Sequence, residues 1–272
     1  YDDALAPIST AINMYKEQGQ VPKENWLLLL RAIYLEKKDY ENMIVVIKEL
    51  LEYYPKDTYL ITYAAVVGEL GDTKKQLAIY ESLYENGLIS DRASYLTNLA
   101  NLYLMHELPY KAATLLEKEM NAKTVESTDR NLRLLSQAWY SAREDEKAIP
   151  PLVQAAKMTN EGELYVRIAQ ANLNLEHWGE AAVAARKGIQ LGGLKRQDTA
   201  YLMLGMALLN QKKLEQARDA FANAGKDNRS EKAAQQWIRH VESEIQRRDL
   251  LNQEVEYEER ERDDLLDAID TQ

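Results

Sequence analysis

Eight residues of this chain join hydrogen-bonding chemistry to helical spacing: Asn98, Asn101, Arg133, Gln137, Tyr140, Arg167, Gln170 and Asn174. Arg133, Gln137 and Tyr140 fall at i, i+4 and i+7, and Arg167, Gln170 and Asn174 at i, i+3 and i+7. Each trio therefore forms one stripe of one helix. Asn98 and Asn101, three residues apart, face one way on an earlier helix. A carboxamide both donates and accepts, arginine grips a carboxylate with two parallel bonds, and tyrosine offers flat apolar area. Such a set suits an extended peptide. The competing reading is an ordinary wet, polar surface with no ligand at all.

No catalytic arrangement accompanies them. His106, His177 and His240 stand far apart, with no second ligand at i+3 or i+4. The absence of cysteine removes thiolate nucleophiles, disulfides and cysteine-based zinc sites together, although it does not choose a compartment. No HExxH, GxSxG, P-loop or dinucleotide fingerprint is present. The expectation is a protein that is not an enzyme and holds neither metal nor cofactor.

The elements that must position those eight residues are helices. Ala, Leu, Glu, Lys and Arg dominate, residues that lose little rotamer freedom in a helix, and only six prolines and eleven glycines interrupt them. No stretch alternates apolar and polar residues as a half-buried strand does, so the fold class is all-α. The net charge of −10 and pI near 5.0, with basic residues scattered among acids, argue against nucleic acid as a partner. Nor does any apolar run approach the roughly 20 residues that span a bilayer; Trp26–Ile33 and Met43–Ile47 read as buried helix faces.

Three segments superpose in sequence, beginning at Asn131, Leu164 and Ala200. Each carries a Leu or Ile followed by a small residue (Leu135-Ser136, Ile168-Ala169, Leu204-Gly205), then a polar turn, then a second helix opening on Ala148, Ala181 or Ala217. Those alanines lie 33 and 36 residues apart. Earlier copies are less regular: Leu99-Ala100 with Tyr103 and Ala113, Tyr63-Ala64 before Gly71-Asp72, and Trp26 through Asp39-Tyr40 to Pro55, where a proline stops the second helix. In this alignment Asn101, Gln137 and Gln170 share one column, preceded by Ala32 and Ala65 and followed by Met206. Small residues let backbones approach while Tyr80, Tyr103, Trp139 and Phe221 fill the space between pairs, so a bulky residue at Ala181 or Gly205 overpacks, at about 1–3 kcal/mol. Pro150 and Pro151 break the pattern, and predict a late start or a kink in their helix.

This period and pattern resemble the tetratricopeptide repeat (TPR) over nearly the whole chain. The resemblance implies a right-handed superhelical solenoid of antiparallel helix pairs with a C-terminal capping helix, whose first helices line a concave groove. The expected organisation is a half-repeat over residues 1–20, six pairs over 21–227, a capping helix over 228–252, and an acidic helical extension or mobile tail over 253–272, where Leu265, Leu266 and Ile269 could dock. YDDALAPISTAI reads as the second helix of a further pair packing through Ala4, Ile8 and Ala11; its start is neither a translation start nor a cationic leader, so a companion helix and any leader are expected upstream. The uncovered face predicts self-association through the N-terminal end.

A narrower resemblance rests on GELYVRIAQANLN, HWGEAAVAARKGIQLGGLKRQDTAYLMLGMA, AAQQWIRHVES and VPKENWLLLLRAIYLEKKDY. These are similar to the TPR protein encoded beside TonB-type energy-transduction systems. That implies a periplasmic setting, with the cytoplasm as the alternative, and TonB, ExbB or ExbD components as partners. The functional expectation is a scaffold or adaptor holding a peptide or helix of a protein partner. A self-assembling structural protein and a regulatory TPR region of a larger enzyme are the alternatives.

Overall fold

The computed structural model describes residues 2–270, with the side chains of residues 2, 261 and 263–270 outside the described set. Fourteen helices and no strand occur among the described residues. They divide into two compact units, Tyr1–Ser127 and Thr128–Gln272. The first holds α1 (Asp2–Glu17), α2 (Glu24–Glu36), α3 (Tyr40–Tyr53), α4 (Asp57–Glu69), α5 (Thr73–Glu85), α6 (Ala93–Met105) and α7 (Pro109–Asn121). The second holds α8 (Asp129–Ser141), α9 (Asp145–Thr159), α10 (Gly162–Asn174), α11 (Trp178–Leu191), α12 (Gln197–Asn210), α13 (Leu214–Ala224) and α14 (Glu231–Asp270).

Three residues join α2 to α3, α4 to α5, α6 to α7, α8 to α9, α10 to α11 and α12 to α13. The middle member of each linker forms a left-handed corner: Lys38, Gly71, Glu107, Arg143, Glu176 or Lys212, with φ between +53° and +84°. The next amide then reaches back five residues, Asp39 to Tyr34, Asp72 to Val67, Leu108 to Tyr103, Glu144 to Trp139, His177 to Asn172 and Lys213 to Leu208, at 2.8–3.1 Å. This is the Schellman closure, which satisfies carbonyls the ending helix leaves open. Where the third linker residue is Asp39 or Asp72, its carboxylate also accepts from the amide of Asn42 or Lys75 and caps the second helix. Only one of the six corners is glycine, so the other five side chains bear the steric cost of that conformation. Arg143→Gly and Glu176→Gly are therefore expected to raise stability, each by about 0.5–1 kcal/mol. Urea denaturation of the single variants measures it.

The core runs through these pairs. Trp139, Phe221, Tyr80 and Tyr103 are buried, as are the small residues Ala64, Ala100, Ser136, Ala169 and Gly205 beside them. A Cβ added at Gly205 would lie 2.5 Å from the Phe221 ring, so the small residue there is a packing requirement. α1 packs on the first unit through Leu5, Ile8 and Ile12, whereas Ala4 is exposed. Of the expected packing positions Ala4, Ile8 and Ala11, Ile8 packs, Ala11 is half-buried and Ala4 is exposed, the larger Leu5 and Ile12 burying more apolar area beside the alanines.

α9 starts at Asp145 and runs through Pro150 and Pro151 to Thr159, so no late start occurs. Pro151 is buried and Pro150 exposed. α14 packs on α13 through Trp237 and Val241, and continues as one helix to Asp270. Leu265, Leu266 and Ile269 have side chains outside the described residues. Among the described residues no helix is long and apolar enough to cross a membrane.

Polar ties inside each unit step about one repeat at a time. Glu24 accepts from Lys56 and Tyr59, Tyr84 donates to buried Glu119, and Ser230 donates to buried Asp198. Gln211 likewise donates to the Trp178 carbonyl, and Arg248 to Glu215. The sequence separations of these pairs are 32 to 35 residues.

Candidate partner-binding recess

Six of the eight candidate residues lie in the second unit, on α8 and α10. Thr128 caps α8 by accepting from the Asn131 amide at 3.3 Å. α10 starts at Gly162, where a side chain would strike the backbone oxygens of Gly192 and Gly188 at 2.5 and 2.7 Å. This close approach seats the first turn of α10 against the end of α11.

Between α8, α9 and α10 opens a recess of about 140 Å³, lined by Ser136, Tyr140, Ala148, Leu152, Arg167, Gln170 and Ala171. Three of the residues singled out from sequence, Tyr140, Arg167 and Gln170, thus line one recess. Beside it the polar side chains form two short hydrogen-bonded runs. Arg167 donates to the Gln137 side-chain oxygen, and Gln137 donates to Ser141 Oγ at 3.1 Å. Gln170 donates to Asn174 at 2.9 Å, and Asn174 donates to both Asp145 oxygens at 3.3 Å. The apolar floor of Leu152, Ala148 and Ala171 beneath a polar rim offers one aliphatic side chain a place, with main-chain partners above it.

Arg133 differs from the expectation. Its Nε donates to Asp129 at 2.7 Å, and its two terminal nitrogens fork onto Glu161 at 2.8 and 2.6 Å. The guanidinium is already matched by two carboxylates, which hold its own pKa high, and its hydrogen bonds in turn hold Glu161's low. Arg133 is thus a brace between α8 and the loop ahead of α10. A partner's carboxylate would have to displace one of its own. Arg167 is the contrasting case, since it is exposed and its hydrogen-bond acceptor is a neutral amide.

Sequence reasoning missed the acids that organise this region. Asp129 stands four residues before Arg133 and was readable as an i,i+4 pair. Glu161 lies 28 residues away and carries no local signal. A second cleft was also missed: an apolar one of about 490 Å³ between α9, α10 and α11, lined by Ile149, Val153, Tyr165 and Val183 among others.

In the first unit Asn98 donates to the Tyr80 hydroxyl at 3.3 Å, and Asn101 donates back to the Thr97 carbonyl at 2.8 Å. Both are exposed. Of the histidines, His106 has a buried Nε2 without a hydrogen-bond partner among the described residues, and His240 packs edge-on against Trp237. No group of three metal-ligating side chains occurs among the described residues.

Neither a family model nor a curated protein matches the sequence. Solved structures do match. The C-terminal part of a TPR repeat-containing protein from Cytophaga hutchinsonii aligns with 87% of this chain and 95% of its own, at 16% identity and a TM-score of 0.57. YrrB, described as a TPR protein with an unusual peptide-binding site, covers 65% of this chain and 89% of its own, at 18% identity and a TM-score of 0.52. The fold is the TPR fold. MamA protein is similar to the same extent, at 17% identity and a TM-score of 0.52, over 65% of this chain and 94% of its own. At these identities the likeness is one of fold. The TPR architecture accounts for the six three-residue corners and for the alternation of small and large residues in the core.

Proposed function

We propose that the second unit is a non-catalytic protein-interaction module that holds an extended segment of a protein partner in the recess between α8, α9 and α10. The observation that carries this reading is the recess itself: an apolar floor ringed by Tyr140, Arg167 and Gln170, with a charged guanidinium that has no carboxylate partner among the described residues. The described peptide-binding site of YrrB, a protein of the same fold, lends support. Asn98 and Asn101, in the first unit, form a separate polar patch and are proposed as a secondary contact for a partner. Arg133 enters by holding Glu161 and α8 in place.

The sequence likeness to the TPR protein of TonB-type systems extends the proposal to a periplasmic accessory that binds a TonB, ExbB or ExbD segment. It rests on that likeness alone.

The test is titration of fluorescent peptides, from a random display library and from the soluble segments of TonB and ExbD, against the chain and its Arg167→Ala and Gln170→Ala variants. Each variant is expected to weaken binding about tenfold, some 1.4 kcal/mol, with far-ultraviolet circular dichroism unchanged. Undiminished binding in both variants would remove the recess from the site. Library peptides that bind while TonB and ExbD segments do not would leave the recess and discard the narrower partner.

A further inference from the structure

α14 is longer than the surface it covers. One stripe of it meets α13: Trp237 stacks on Phe221 with ring centroids 5.5 Å apart, Val241 is fully buried, and Arg248 donates to Glu215 at 2.7 Å. Glu215 is the second residue of α13, so the support ends there. The stripe does not end. At the same alternating spacing of four and three it continues through Leu251, Val255, Glu258 and Arg262, and Leu251 and Val255 are 52% and 54% exposed. In the sequence the next two steps are Leu265 and Ile269, whose side chains lie outside the described residues, on a backbone that is helical to Asp270.

That spacing averages 3.5 residues, the repeat of a coiled coil. One of its two core positions carries Val255, Arg262 and Ile269, and the other carries Leu251, Glu258 and Leu265. We propose that the segment from Leu251 onward pairs with the same segment of a second copy, antiparallel and centred on Arg260. In that register positions 251 and 255 of one copy stand opposite positions 269 and 265 of the other, and Glu258 meets Arg262. By residue type the layers match, apolar with apolar and acid with base. A parallel pair would instead bury Glu258 against Glu258 and Arg262 against Arg262, and like charges in a core layer exclude an orientation. The flanks carry Glu254 and Glu259, which repel across the pair and are screened by salt. Association therefore strengthens with ionic strength while the core ion pairs, being less exposed, persist.

Sedimentation equilibrium of the whole chain, at low and high salt, tests this with Glu258→Arg, Arg262→Glu and the double exchange. A concentration-dependent dimer is expected, tighter at high salt, lost in each single variant and restored in the double one. Because the chain has no native cysteine, a spin label on Asn252→Cys reports orientation. The two labels should lie about 24 Å apart along the axis in the antiparallel pair, and side by side, about 10 Å apart, in a parallel one. A monomer at every concentration and salt, single variants that dimerise like the parent, or the short label distance would each overturn the proposal.

Discussion

Replacing Phe221 by alanine is expected to lower the unfolding free energy by about 4 kcal/mol, the largest loss foreseen for any single side chain here. The ring is fully buried where α12, α13 and α14 meet, stacked on Trp237 and filling the space left by the missing side chain of Gly205. Truncation removes the transfer energy of the ring and the aromatic contact, and opens a cavity that three helices anchored elsewhere cannot close. The same geometry makes a second statement. Gly205→Val alone should overpack, at about 1–3 kcal/mol, because its Cβ meets the ring. Added to Phe221→Ala it occupies part of the vacated volume, so the double variant should be more stable than Phe221→Ala by itself. Such a reversal of sign between contacting residues is what coupling through one cavity produces. Urea denaturation of the four proteins measures it, and additive losses would refute the contact.

Asp198→Asn carries the second large effect, about 2 kcal/mol at neutral pH. The Asp198 carboxylate is buried, accepts from Arg196 at 2.6 and 2.9 Å and from Ser230 Oγ at 2.6 Å, and lies 3.8 Å from Arg229. It ties the start of α12 to the start of α14. The hydrogen bond from Arg196 is the main reason its pKa falls well below the usual carboxylate value, with Ser230 and the nearby positive charge adding to it. A carboxylate depressed in this way stabilises the fold fully above its unfolded pKa of about 4, and less and less as acid protonates it. The difference in unfolding free energy between the chain and Asp198→Asn should therefore be constant from pH 7 to about pH 5 and shrink as pH falls through 4 toward 2. A difference that stayed flat to pH 2 would mean the charge is not what holds these helices.

The repeat was legible because close packing leaves marks in sequence. A small residue after Leu or Ile leaves room for a large side chain from the facing helix, as Gly205 against the Phe221 ring shows. Turn composition was less informative. Only Gly71 announces a left-handed corner, while Lys38, Glu107, Arg143, Glu176 and Lys212 adopt the same φ under the pull of the helices on either side. The recess was legible in part. Tyr140, Arg167 and Gln170 could be placed on a shared surface from helical spacing, yet the role of Arg133 could not. Its decisive partner, Glu161, comes from the next loop, and nothing local marks an acid that will meet an arginine one repeat earlier. Ser230, directly ahead of α14, was similar: its hydroxyl serves Asp198, 32 residues earlier, and nothing local marks that partner.

The polar ties that step from one repeat to the next have an evolutionary consequence. Within a unit, Glu24 with Lys56, Tyr84 with Glu119, and Arg248 with Glu215 each bind a helix pair to its immediate neighbour. Duplicating or deleting a whole pair therefore disturbs two junctions and leaves the rest of the unit's bonding intact. A gene for such a protein can lengthen or shorten in blocks of about 34 codons and still encode something that folds, whereas the loss of half a block would bring mismatched partners together.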